Sequence, residues 1–255
     1  MAPTLGILGT GHLAEYIVTG LRRANYGSDI LISPRNAETA ARLAADHGAR
    51  VANDNQAVVD GAEMVLVCLP AAHGVEVLSE LNFRAGQSVC SAMAGAGADK
   101  SADAVEPAQA LVAMMPGPSN ALGAGPCLIY PDNPDWRHLL SALGRVIGFA
   151  GQQQFDKAAA FGAFSGASFV FMNHVAEWFE KQGLPRDVAR SLVAETIAGN
   201  AEVLKRAPQE WPQIMRGVAT PGGITEDLVS HLEAKGAFDA WHEGLSAVLA
   251  RLEED

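Results

Sequence analysis

Short apolar runs alternate with amphipathic stretches through the first three fifths of the chain, and the pattern then changes. Leu5 to Leu8 forms one such run, and Leu13, Ile17 and Leu21 follow at i, i+4, i+8, which predicts strand, turn, helix. Further strands are predicted over 29–32, around 50–52, and over 63–69, 87–91, 111–116 and 127–130. Helices are predicted over 37–46, after Asn55, and over 73–81. From Met64 one run is continuously apolar, as a parallel strand covered on both faces requires. Alternation of this kind implies a doubly wound parallel sheet.

From about Asp156 strand signals stop. Helical runs are predicted over 157–182, 185–206, 225–233 and 238–253, with Pro185 suited to a first turn and Asp187 near the positive end of that helix's dipole. The expected architecture is α/β: a Rossmann-type doubly wound parallel sheet over 1–155, then a smaller all-helical dimerisation domain over 156–255. A helical domain of roughly a hundred residues is marginal alone. Its helices are rich in Ala, Val, Phe and Leu, which predicts burial in a homodimer.

The 255 residues are 49% hydrophobic, ample for a core, and carry a net charge of −11. That balance argues against a general nucleic-acid or acidic-membrane surface, which needs clustered Lys and Arg, and favours a small-molecule partner. Cys68, Cys90 and Cys127 lie in or beside apolar runs, an odd and widely spaced set that fits neither a disulfide framework nor a metal site. They read as reduced core residues. No apolar segment reaches ~18 residues, and the N-terminus lacks a basic region followed by a long apolar stretch, so a cytoplasmic location is expected.

The turn after the first strand, Gly9-Thr10-Gly11-His12-Leu13-Ala14, has the GxGxxG/A spacing of a dinucleotide fingerprint. The first glycine permits the tight turn, the second lets backbone approach a diphosphate, and the small third residue lets helix and strand pack closely. His12 and Leu13 open the helix whose free N–H groups receive the anion. An NAD-preferring second strand ends in Asp or Glu about 20 residues on, to hold the ribose 2′-OH. Here the strand ends in Ser33-Pro34-Arg35-Asn36, without an acid. Hydroxyl, guanidinium fork and amide suit a 2′-phosphate, so NADP(H) is inferred as cofactor. Ser33 and Asn36 also suit capping of the helix over 37–46. The small-residue stretch from Ala92 to Gly97 would let a cofactor approach backbone closely.

No His, Cys and carboxylate cluster has metal-ligand spacing, so no metal is expected. His73 and His174 fall where a cleft could form, although a structural imidazole is the commoner case, and His231 and His242 read as surface residues. Trp136, Trp178, Trp211 and Trp241 read as packing or dimer contacts.

Nearly the whole length of the chain resembles the pyrroline-5-carboxylate reductases. Gly-Thr-Gly-His-Leu-Ala-Glu at 9–15 resembles the family's G-A-G-N-M-A-E, and Ser33-Pro34-Arg35-Asn36 stands where that family grips the NADP 2′-phosphate. Asn55 matches a family asparagine near the adenosine, and Ala94-Gly95 the small pair of S-I-A-A-G. Pro70 matches the last residue of V-K-P, with Leu69 before it, and Gly183-Leu184-Pro185-Arg186 reproduces G-L-P-R. The stretch Val218 to Thr225 resembles V-T-S-P-G-G-T-T. The resemblance implies hydride transfer from NAD(P)H to the C=N carbon of a cyclic imino acid, by a Rossmann domain followed by helices that intertwine two subunits, sometimes within a larger ring.

On that resemblance Thr220, Gly222, Gly223 and Thr225 are expected to hold the substrate carboxylate, and Thr225 or Ser165 to hydrogen-bond the imine nitrogen. The departures gather on the substrate side. V-K-P is Cys68-Leu69-Pro70, M-P-N-T-P is Met115-Pro116-Gly117-Pro118-Ser119, and S-G-S-G-P-A-Y is the shorter Ser165-Gly166-Ala167-Ser168-Phe169. Two threonines of the Pro-Gly-Gly motif are Ala219 and Ile224. Losing such hydrogen bonds alters recognition. Three readings follow: a reductase of 1-pyrroline-5-carboxylate, a reductase of a different imine or carbonyl substrate, and a catalytically silent NADP(H)-binding regulatory protein.

Overall fold

The computed structural model describes residues 3–95 and 97–254. Ala96, within the small-residue stretch expected to admit a cofactor, lies outside the described residues. The sheet half runs β1 (Leu5–Leu8), α1 (His12–Arg23), β2 (Ile30–Ile32), α2 (Ala37–His47), β3 (Arg50–Val51), α3 (Asn55–Gly61), β4 (Met64–Val67) and α4 (Ala71–Ser79). It continues with β5 (Ser88–Ser91), α5 (Ala98–Val105), β6 (Gln109–Met114), α6 (Pro118–Ala121), β7 (Pro126–Tyr130), α7 (Pro134–Ser141), β8 (Arg145–Gly148) and α8 (Gln152–Ala159).

The strands form one sheet in the order β3-β2-β1-β4-β5-β6-β7-β8. The first six are parallel, and the order reverses between β1 and β4, the switch point at which such sheets bind ligands outside the strands' carboxyl ends. Residues 127–130, expected within the parallel run, pair antiparallel to β6 instead. The reason lies in the connection: only the short α6 separates β6 from β7, less chain than a parallel crossover needs. The eight-residue α7 supplies such a crossover, and β8 pairs parallel to β7.

Each apolar strand divides its side chains by parity, as a pleat requires. Leu5, Ile7, Ile30, Ile32, Met64, Leu66 and Cys90 face one core with Ile17 and Leu21 of α1, Leu43 of α2 and Leu139 of α7. Leu8, Leu31, Val65, Val67 and Val89 face the other with Val58 and Val59 of α3, Leu78 of α4 and Val105 of α5. Helices thus cover both faces, which is why β4 reads as an unbroken apolar run. Phe155 of α8 extends the second layer over Val112 and Leu128.

The helical half comprises α9 (Phe161–Lys181), α10 (Arg186–Arg206), α11 (Trp211–Val218), α12 (Ile224–Ala234) and α13 (Ala237–Glu254). The single helix expected over 157–182 is divided at Ala160, between α8 and α9. The chain forms two compact units, one reaching Gly162 and resuming at Leu249, the other Ala163–Val248. Among the described residues of the second unit only Ala176, Ala189 and Val193 are buried apolar side chains, while Phe169, Trp178, Trp211 and Met215 are more than half exposed. Exposed apolar surface on that scale marks an interaction face. No described helix is long and apolar enough to cross a membrane.

Candidate active site

At the switch point β1 hands the chain to α1 through the glycine turn. Gly9 takes φ +94°, and a Cβ there would lie 2.6 Å from the Cys68 carbonyl oxygen, so only glycine lets the ends of β1 and β4 meet. The Gly9 N–H donates to Ser33 Oγ at 2.8 Å, which ties the end of β2 to the same turn. At Gly11 a Cβ would meet nothing within 4 Å, so this backbone borders open space. The first helical bond runs from the Glu15 N–H to the Gly11 carbonyl. The amides of His12, Leu13 and Ala14 therefore have no acceptor within α1, and with the helix dipole they form an anion site.

A cavity of about 840 Å³ opens there. Of the residues expected to hold the cofactor, Gly9, Gly11, His12, Leu13, Ser33, Arg35, Asn36, Asn55, Leu69, Pro70 and Ala94 line it, together with His73. Gly95 does not, and borders a neighbouring cavity of about 280 Å³. The larger cavity's basic groups are Arg35, His12 and His73, and among the described residues its wall holds no Asp or Glu. In a chain of net charge −11 that is a local inversion of sign suited to phosphates. Arg35 is exposed and makes no ion pair among the described residues. Asp29, the acid that precedes β2, pairs with Arg50 at 2.6 Å.

Several of these side chains have second tasks. Ser33 is buried and braces Gly9, which leaves its own proton for a ligand. Asn36 caps α2, its Oδ1 accepting the Thr39 N–H at 3.3 Å. Asp54 caps α3 through the Ala57 N–H, freeing Asn55 for the cavity. Thr10, which sequence reasoning passed over, carries a buried hydroxyl oxygen with no hydrogen-bond partner, an orphan in the middle of the phosphate turn. The open backbone at Gly11, the unpaired helix amides and this orphan fit a dinucleotide diphosphate.

The thiols offer no chemistry. Burial pushes Cys68 and Cys127 up to about 12 and Cys90 well above the ordinary thiol range, so all three stay protonated and weakly nucleophilic. None forms a disulfide.

The residues expected on the substrate side lie in the helical unit. Gly222 takes φ +74°, Gly223 is the N-cap of α12, and Thr220 and Thr225 are exposed beside them. Both glycine amides are already engaged: Gly222 N–H donates to Glu226 Oε2 at 2.6 Å, and Gly223 N–H to the Thr220 carbonyl at 2.9 Å. Glu226 was legible only as a glutamate at the third helical position, from which a carboxylate reaches back as in a capping box. Ser165 lies in α9, where its carbonyl accepts the Ser168 hydroxyl proton. His174 sits on α9 with its Nδ1 3.8 Å from Glu177. Trp136 is buried and donates to Ser88 Oγ. Among the described residues no group of His, Cys, Asp and Glu could hold a metal.

The same division appears in comparisons with known proteins. Residues 4–95 match the family profile described as NADP oxidoreductase, coenzyme F420-dependent, and residues 152–255 that described as pyrroline-5-carboxylate reductase dimerisation. A pyrroline-5-carboxylate reductase of Corynebacterium melassecola is 30% identical over 98% of either chain. One from Synechocystis is 27% identical over the whole of this chain and 98% of its own. The fold matches that of Plasmodium falciparum pyrroline carboxylate reductase with NADP bound, with TM-score 0.88 at 17% identity over 99% of this chain and 97% of that one. With a cavity suited to a dinucleotide in the sheet half, a match to the dimerisation profile in the helical half and relatives matched end to end, the chain belongs to the pyrroline-5-carboxylate reductase family.

Proposed function

We propose that the protein reduces 1-pyrroline-5-carboxylate to proline with NADPH. The observation that carries this reading is the cavity at the switch point, whose lining among the described residues holds no Asp or Glu and whose β2 end offers Arg35 in place of an acid. Gly9, Gly11, His12 and Leu13 take the diphosphate, while Ser33, Arg35 and Asn36 take the 2′-phosphate. Asn55 serves the adenosine, and Leu69, Pro70, Ala94 and Gly95 border the nicotinamide half. When bound, the cofactor supplies a hydride to the imine carbon. The protein's share is positioning, since an imine that is already protonated needs little acid help.

In this reading the substrate carboxylate displaces Glu226 from the Gly222 amide, and Thr220 and Thr225 add hydroxyl donors. Gly223, its amide committed to Thr220, holds the turn that presents them. Thr225 or Ser165 hydrogen-bonds the imine nitrogen. The apolar helical unit closes against a second copy, as a homodimer or within a larger ring, and the enzyme works in the cytoplasm.

The test is oxidation of NADPH by the purified protein in the presence of 1-pyrroline-5-carboxylate, beside cyclic imines of other ring sizes and carbonyl compounds. Turnover of order 1–1000 per second with the five-membered imino acid is expected. Firm NADPH binding without that turnover would refute it. A second reading, reduction of a different imine or carbonyl compound, is favoured by one specific feature: a carboxylate of the chain's own already sits on Gly222.

A further inference from the structure

The 280 Å³ cavity lies beside the cofactor cavity and shares Met93 and Ala94 with it. Its remaining walls combine the apolar Val112 and Met114 of β6 and Phe155 and Ala159 of α8 with the charged Asp99 and Lys100 of α5 and Asp156 of α8. Gln152, the first residue of α8, also borders it, and the Gln152 Oε1 atom is buried with no hydrogen-bond partner. The amide's other end is committed, because Nε2 donates to Asp156 Oδ1 at 2.6 Å. That bond settles which atom of the amide is the oxygen. Lys100, which also borders the cavity, donates from Nζ to the Gly95 carbonyl at 3.0 Å and makes no bond to Gln152 Oε1. An unpaired buried acceptor in a native site calls for a partner the protein itself does not contain.

We propose that this cavity receives the carboxamide-bearing nicotinamide end of the cofactor, with Gln152 Oε1 accepting a carboxamide N–H and Asp156 acting as the positioning residue for Gln152. The inference rests on the cofactor assignment made above. A dinucleotide whose diphosphate lies at the β1–α1 turn and whose 2′-phosphate lies at the end of β2 must run its other half the opposite way, over β4 towards β5. The wall it reaches there is Met93 and Ala94, beyond which this space opens. A flat apolar ring bearing one primary amide fits the apolar side of this cavity, where Gln152 Oε1 is the buried acceptor without a partner, and the volume suits a fragment of that size.

The test uses the whole chain and equilibrium titration with three ligands. They are NADP⁺, its 3-acetylpyridine analogue, in which a methyl replaces the amide nitrogen, and 2′-phospho-ADP-ribose, which lacks the ring. The wild-type protein is expected to prefer NADP⁺ to the analogue by about tenfold, the worth of an ordinary buried hydrogen bond. Gln152→Met should abolish that preference and leave the affinity for 2′-phospho-ADP-ribose unchanged, which also shows that the variant is folded. Absence of the preference in the wild type would leave water as the partner of Gln152 and overturn the proposal. So would its survival in Gln152→Met, or equal weakening of all three ligands. If the wild type bound none of them, the cofactor assignment itself would fall, an outcome distinct from these.

Discussion

The two glycines of the phosphate turn should fail in opposite ways when a methyl group is added. At Gly9 the backbone has φ +94°, and the new Cβ would stand 2.6 Å from the Cys68 oxygen and 2.8 Å from its carbon. Both obstructing atoms are backbone, so no rotamer relieves the contact. The left-handed φ costs roughly 1–2 kcal/mol and the overpacking roughly 1–3 kcal/mol, giving about 2–5 kcal/mol for Gly9→Ala. Against a total stability of about 5–15 kcal/mol that is a large loss, and it should lower the melting temperature by roughly 5–20 °C. At Gly11 the backbone is extended at φ −93° and a Cβ meets nothing within 4 Å, so Gly11→Ala should change stability by less than about 1 kcal/mol. The same methyl group enters the space bordered by the unpaired helix amides, and NADPH affinity should fall by more than about tenfold. Thermal unfolding without ligand and titration with NADPH separate the two effects. If Gly11→Ala unfolded as readily as Gly9→Ala, or bound NADPH as the wild type does, the assignment of turn geometry to one glycine and ligand approach to the other would be wrong.

Three further outcomes are expected. Glu226→Gln replaces a charge-assisted bond on Gly222 by a neutral one, so KM for 1-pyrroline-5-carboxylate should fall about 3–10-fold with kcat little changed, and KM for an imine without a carboxylate should stay put; a shared change would remove Glu226 from the carboxylate's path. Arg35→Asp should weaken NADPH at least about 30-fold and NADH by less than about threefold, and equal weakening would sink the 2′-phosphate assignment. Burial raises the Cys68 and Cys127 thiols from 9.0 to about 12 and the Tyr26 phenol from 10.0 to about 12. These acids are protonated in both states below pH 9, whereas above it the unfolded chain releases protons that the folded chain retains. Stability should therefore fall as pH rises from about 9 to 12, and a urea midpoint that stayed level across that window would contradict the burial.

Local chemistry made much of the protein legible. Short apolar runs and stretches of period 3.6 placed β1 to β7 and the longest helices, because strand and helix signals are written in neighbouring residues. The glycine spacing placed the phosphate turn, and the missing acid after β2 pointed to NADP(H), since both depend on a few consecutive residues. β8 escaped notice because Arg145-Val146-Ile147-Gly148 is short, partly exposed and has no periodic face.

What joins distant segments needed the tertiary structure. The reversal of β7 follows from how much chain spans the gap after β6, and the break at Ala160 interrupts a helical pattern that continues unbroken in the sequence. Ser33 meets Gly9 across 24 residues, and the pairing of Gln152 with Asp156 matters only because the fold closes a cavity over it. The sequence by itself determined which elements form and which cofactor chemistry the first turn can hold, because those are properties of consecutive residues. The tertiary structure decided which amides and carboxylates already have partners, because hydrogen bonding depends on distances that only packing sets.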